Sequence, residues 1–573
     1  MNKQFKNILF LLIILLFAVN TAYAADDNTP NLTQSLTPQE TTPTIEETTS
    51  YTVDITSDNY NDYFTRDNEL NESKLQNNTQ LNIHSIPENT QEIGVYTEFE
   101  DINLSITGVN NLTLTNTALT VSSNIKNFRI SNITFNYDES YEEEGFVHIE
   151  SLNPDTKLYL LENININCVQ NKPYYTHDIH PLDINAKNVY LDQVNINAQL
   201  PSNTITYQGN DNKPHSIALN IHGENITLNN SHIKLTEHDR DIYSNYNTIY
   251  ALYNEADNFT MTQTTVNITG EEYVYAVVSR SSNNKIIYNN IICQSTVYSA
   301  GINIEGTRIK NNNISHNTIN ITAGYREQGS TPNGAEDSAY GVLLLDYSYK
   351  GGKYVPNANS VDNNTYTYNT ITGSAGNIYA IEVFGGTNTN LSNNNIQLTG
   401  RTPMGIGAIG ENVTINNNNI TADGQTNNTE ASADYLKPRT TGVYTYLSSK
   451  GITVDNNTID TRRGRGIYIE QSNNTIVTNN QVHTTKYDYA VEITGENNTV
   501  EHNYLISRNH EADDAVGTTK NNTVKDNTNT PLKTRTIITL PEIHATVGKE
   551  VKDRKSTRLN SSHTTVSRMP SSA

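Results

Sequence analysis

Tryptophan is absent from this chain, and only two cysteines and four methionines occur among its 573 residues. Cys168 and Cys293 cannot supply a disulfide framework for a chain of this length, so something else must hold it together. Cations are scarce as well, with 38 lysines and arginines against 61 aspartates and glutamates, a formal charge of −23. A nucleic-acid partner needs a basic footprint and is excluded on that ground. Past the first 24 residues no run is apolar enough to cross a bilayer, so no membrane span is expected. Hydrophobic residues make up 35% of the chain, too few for a thick core and enough for a thin one lined by strands. Tyrosine, with 35 copies, and asparagine are what the chain has in abundance.

Residues 1–24 read as a secretory signal: Lys3 and Lys6, the apolar run ILFLLIILLFAV, and the small residues Ala22 to Ala24 as a cleavage site. An extracellular, cell-surface protein is expected. Residues 25–50 form an acidic, Thr/Pro-rich linker.

One phrase recurs through the rest, Asn-x-Ile/Val, often preceded by Asn-Asn-Thr-Ile/Val. Its aliphatic anchors include Ile133, Ile164, Val194, Ile233, Val266, Ile291, Ile319, Ile371, Ile396, Ile420, Ile459, Val482 and Leu505, and the shortest spacing is 23 residues. The unit NNTIVTNNQVHTTKYDYAVEITGE (Asn473 to Glu496) holds three short alternating β-prone pieces. A single such turn cannot bury its apolar face, but stacked turns make a continuous column with every strand paired above and below. The expected architecture is an all-β parallel β-helix with three short strands per coil. Its corners need left-handed backbone, which asparagine tolerates, and amides stacked on coils about 4.8 Å apart can bond one another. The run Asn416 to Asn419 is then a corner. Cys168 and Cys293 fall inward and four coils apart, too far for a disulfide.

These features resemble the adhesin-like surface proteins of archaea that are built on right-handed parallel β-helix repeats. The resemblance spans about residues 51–530, with residues 51–110 as an N-terminal cap region and 111–530 as the helix. Residues 531–552, including TRTIITLPEIHATVGKEVK, look like the start of an immunoglobulin-like β-sandwich. Residues 553–573 resemble the translation of a sequencing-library adapter, so the natural chain is expected to be truncated there.

Long insertions fall after the Asn-x-Ile strand and before the next apolar strand, which would line them along one side. Their candidate ligand-binding residues are Tyr174, Tyr175, His177, His238, Tyr325, Tyr435 and Arg439, types that stack on sugar rings or bond their hydroxyls. A second candidate face is the strand column of Glu382, Tyr444, Tyr468 and Glu492. The best carboxylate pair is Glu470 and Glu492, on adjacent coils by alignment and roughly 8 Å apart. His177, Asp178, His180 and Asp183 crowd one insertion but lack partner ligands elsewhere, so neither a metal nor another cofactor is expected.

The resemblance implies a monomeric, non-catalytic adhesin-like protein whose partners are surface glycans or another cell's surface. A β-helix polysaccharide lyase or glycoside hydrolase using Glu470 and Glu492 is the alternative, and an inert surface stalk is the second.

Overall fold

The computed structural model describes residues 51–530 apart from 99–101, 139–145, 154, 171–178, 202, 205–215, 238–246, 307–308, 325–336, 346, 351–352, 357–362, 425–439, 446–448, 486, 488 and 520. The expected signal, linker, immunoglobulin-like start and adapter-like tail lie outside the described residues. Successive turns of chain wind into a right-handed parallel β-helix. Each coil contributes strands to three sheets, here A, B and C in the order the chain visits them. One coil is Thr260–Thr262, Thr265–Thr269 and Tyr273–Ser279. The next is Lys285–Ile287, Asn290–Ser295 and Tyr298–Glu305, each strand pairing in parallel with its counterpart. Parallel pairing already runs from Tyr51–Ile55 onto Thr79–Ile83.

Short alternating strands put every second side chain into a narrow lumen, and stacking closes it. The sheet B column from Ile233 runs through Val266, Ile291, Ile319, Ile371, Ile396, Ile420, Ile459, Val482 and Leu505. Register corrects its upper end. The partners of Ile233 going back are Ile196, Ile166 and Phe135. Ile133, Ile164 and Val194 stand one inward position earlier, in the row that continues through Ser231, whose Oγ accepts from the Val194 N–H at 3.0 Å. Both Ile164 and Ile166 point inward on one strand, so the repeated phrase fits either row.

Further along, that earlier row becomes an asparagine ladder. Asn289, Asn317, Asn369, Asn394, Asn418, Asn457, Asn480 and Asn503 each donate their side-chain amide to the Oδ1 of the next in the row, ending on Asn527, at 2.9–3.1 Å. Each Oδ1 also takes the backbone N–H of the preceding asparagine, as Asn418 does from Asn394 at 2.9 Å. At the last rung Asn527 gives both its backbone and side-chain N–H to Asp513 Oδ1, at 3.0 and 2.6 Å. The run Asn416 to Asn419 is thereby explained: Asn417 takes the left-handed turn at φ 54°, Asn418 enters the ladder, and Asn419 faces out and bonds Asn395 at 3.0 Å. Left-handed backbone is cheap for asparagine, and a buried amide bonded on every side costs little.

Cys168 and Cys293 are free and buried in sheet B, four coils apart. Burial pushes the Cys168 thiol far up, and that of Cys293 up to about 12.

Candidate functional site

Sheet C differs from the other two in what it turns outward. Its strands place two successive residues inward, such as Ala251 and Leu252, both 0% exposed. The outward residues on either side of that pair, here Tyr250 and Tyr253, therefore form two separate vertical rows. Five insertions leave the helix at the corner just before sheet C, between Val169 and Leu182, Leu200 and Ser216, Glu237 and Asn247, Ala323 and Ser338, and Gly424 and Thr441, while a sixth, between Leu345 and Thr365, leaves just after that sheet.

Near the C-terminal end, the first row carries Arg465 and the second carries Tyr444, Tyr468 and Glu492 on consecutive coils. The guanidinium of Arg465 lies 4.2 Å from the centre of the Tyr468 ring and 4.8 Å from that of Tyr487, with its Nε bonded to Glu492. Tyr487 donates its hydroxyl to the same Glu492 oxygen at 3.0 Å. Tyr444 stacks on Tyr468 at 5.1 Å and donates its hydroxyl to Glu470 Oε2. Arg465 is 3% exposed, so its charge is tolerable only because carboxylate and rings surround it.

Midway along, the first row and the position two residues before it hold a pile of phenols. Tyr250 stacks on Tyr275 at 5.1 Å, Tyr298 bridges Tyr275 and Tyr340 at 5.4 Å to each, and Tyr340 stacks on Tyr379 at 4.8 Å. Burial pushes Tyr275, Tyr298 and Tyr340 well above the usual phenol range, helped for the latter two by the Glu382 carboxylate. All three stay protonated donors at neutral pH.

Toward the N-terminal end, Asp183 accepts from His148 at 2.9 Å and from Asn220 at 2.8 Å. That hydrogen bond, working against burial, raises His148. Burial would raise Asp183, but its bonds to His148 and Asn220 and the nearby His180 outweigh it, and the carboxyl is lowered. One coil on, His222 meets Glu255 at 3.1 Å, and Arg280 bonds Glu305 at 2.6 Å from its Nε.

Every insertion residue proposed as a ligand contact (Tyr174, Tyr175, His177, His238, Tyr325, Tyr435 and Arg439) lies outside the described residues, as does Asp178. Glu470 and Glu492 are on adjacent coils, Glu492 in register with Tyr468. Glu382, Tyr444, Tyr468 and Glu492 share one row, with Gly407 between the first two. They form a packed column more than an exposed one, since Glu382 is 3% and Tyr468 7% exposed. The tyrosine pile and the His148–Asp183 pair were missed in the sequence. Each joins residues from coils of unequal length, so no fixed spacing announces them.

A family model described as a right-handed beta helix region matches residues 354–529. No curated protein matches the chain. Among solved structures the chain is similar to DFA-IIIase from Arthrobacter chlorophenolicus A6 without its lid, at 12% identity over 74% of this chain and 88% of that one, with a TM-score of 0.33. It is similar to the periplasmic alginate epimerase AlgG at 11% identity over 79% and 83%, TM-score 0.35. A third is the Azotobacter vinelandii mannuronan C-5 epimerase AlgE6 A-module, at 10% identity over 74% and 89%, TM-score 0.28. At these levels the likeness speaks to the fold alone. It nevertheless corrects the expectation of a non-catalytic adhesin-like protein: the proteins found to be similar are named as enzymes, and the non-catalytic reading is not retained.

Proposed function

We propose that this chain is an exported polysaccharide-degrading enzyme, a glycoside hydrolase whose reacting carboxyls are Glu470 and Glu492. The observation that carries this reading is their placement. They stand on adjacent coils of sheet C and two positions apart along the strand, each held by a tyrosine hydroxyl. One coil of about 4.8 Å and two residues of about 6.6 Å separate their backbones by roughly 8 Å. Carboxyl groups about 6.5–9.5 Å apart leave room for a water between acid and base, and this backbone spacing is compatible with such a separation. Export is supported by the N-terminal segment with Lys3, Lys6 and its apolar run.

The two carboxyls have different surroundings. Glu492 is fixed by Arg465 and Tyr487, which suits a base that takes a proton from water as the water oxygen attacks the anomeric carbon. Glu470 accepts from Tyr444 on Oε2, which leaves Oε1 to carry a proton to the departing glycosidic oxygen. The glycosidic bond breaks as the new C–O bond forms, and the proton given by Glu470 is balanced by the one Glu492 receives. Sugar release from a panel of polysaccharides tests this, with the anomeric form of the first product read by NMR. Inverted product lost in Glu470→Gln and Glu492→Gln supports the reading. An unsaturated product would point to a lyase instead, and activity unchanged in both variants ends it.

A further inference from the structure

The outward face of sheet C has an excess of negative charge. Beyond Glu470 and Glu492 it carries Glu150, Asp183, Glu255, Glu305 and Glu382, against two arginines. Both arginines are engaged: Arg280 binds Glu305 at 2.6 Å with Glu255 at 4.0 Å, and Arg465 binds Glu492. The histidines follow the same pattern, His148 against Asp183 at 2.9 Å and His222 against Glu255 at 3.1 Å. The whole chain, at −23, leans the same way.

A ligand bearing carboxylates or sulfates would meet a face on which carboxylates outnumber the cations, with both arginines already paired to glutamates. Sugar hydroxyls are the complementary group. Each supplies a donor to a carboxylate and brings no charge of its own to the face. We propose that the glycan taken by this face carries no acid groups, and that the carboxylate surplus excludes acidic polysaccharides. The proposal rests on the catalytic reading above only in placing the ligand on sheet C.

The test uses the full chain carrying Glu492→Gln, so that binding is read without turnover, against xylan, mannan and laminarin as uncharged chains, polygalacturonate as an acidic one, and chitosan at a pH where its amines are charged. At least one uncharged chain should bind with little dependence on salt, and polygalacturonate should bind at least roughly tenfold more weakly. Chitosan should bind best at low salt and lose that advantage as salt screens the carboxylates. Glu305→Gln, which frees Arg280, should narrow the gap between acidic and uncharged chains. Polygalacturonate binding as tightly as the uncharged chains overturns the proposal, and so does binding to none of the five. An uncharged chain that binds but is not cleaved by the unsubstituted protein would sink the hydrolase reading and leave this one standing.

Discussion

The side-chain amide of Asn394 donates to Oδ1 of Asn418, 3.0 Å away, and the backbone N–H of Asn394 donates to the same oxygen at 2.9 Å. Asn418 in turn donates to Leu391 O and Asn457 Oδ1, both at 2.9 Å. Four hydrogen bonds thus meet on one side chain that is 2% exposed. Asn418→Ala strands two donors above and two acceptors below it, at roughly 2–5 kcal/mol in all. Asn418→Asp keeps the acceptor but brings a charge against Asn457 Oδ1, and should cost more. Denaturant unfolding, with hydrogen exchange on the neighbouring coils, checks both magnitude and order.

Glu470→Gln and Glu492→Gln should each lower sugar release by about 10²–10⁴-fold, the usual contribution of a positioned acid or base. Glycan affinity should change little. Because Arg465 is buried against Glu492, Arg465→Ala and Glu492→Gln should both also destabilise the coil, the latter by leaving the guanidinium without its carboxylate, whereas Glu470→Gln should not. Thermal melting beside initial rates separates the two effects.

Stability should carry a pH signature from His148 and Asp183. His148 is raised, so its contribution is full below its unfolded value of about 6.5 and is lost as pH rises through the folded one. Asp183 is lowered, so its contribution is present above about 3.9 and is lost as pH falls through its folded value. The pair is worth most between those limits. The melting-temperature gap between the unsubstituted protein and His148→Gln should therefore be widest near pH 5 and close above neutrality. A gap that widens with rising pH would contradict the ion pair.

Removing Gln425 to Pro438 should leave the helix intact. A Cβ built on Gly424 would come within 2.1 Å of Thr440 Oγ1, so the two ends already touch and one residue can join them. The strands on either side, Asn419–Gly424 and Thr441–Thr445, pair with the following coil independently of the insertion. Circular dichroism and melting temperature should be close to those of the full chain, since shorter closure costs less entropy.

Neither thiol should react in the folded protein. Cys168 and Cys293 are both 0% exposed and held protonated by burial. Alkylation at pH 8 should follow the unfolding curve, and fast labelling under native conditions would place at least one of them outside the lumen.

The periodicity of Asn-x-Ile was enough to read the coil, its corners and the inward column from Ile233 onward. It misassigned Ile133, Ile164 and Val194 because two inward rows run side by side in sheet B and the phrase does not say which one it marks. Glu470 and Glu492 were legible as neighbours because their coils have equal length, so alignment alone gives the register. Tyr340 and Tyr379 were not, since 39 residues part them, and Tyr298 and Tyr340 lie 42 apart. What surrounds a side chain on sheet C depends on three coils at once, and insertions of unequal length hide that neighbourhood from any reading along one strand.

The asparagine ladder has a direction. Each completed coil leaves an amide donor pointing at the coil to come, which is a template for adding one more layer and, at the last described coil, an invitation to a foreign strand. Asp513 answers that invitation from within the same chain. Its oxygen occupies the place of the next asparagine's Oδ1, takes both donors of Asn527, and offers no amide in return. A carboxylate in that position acts like the impurity that poisons a growing crystal face: the lattice accepts it and cannot build on it.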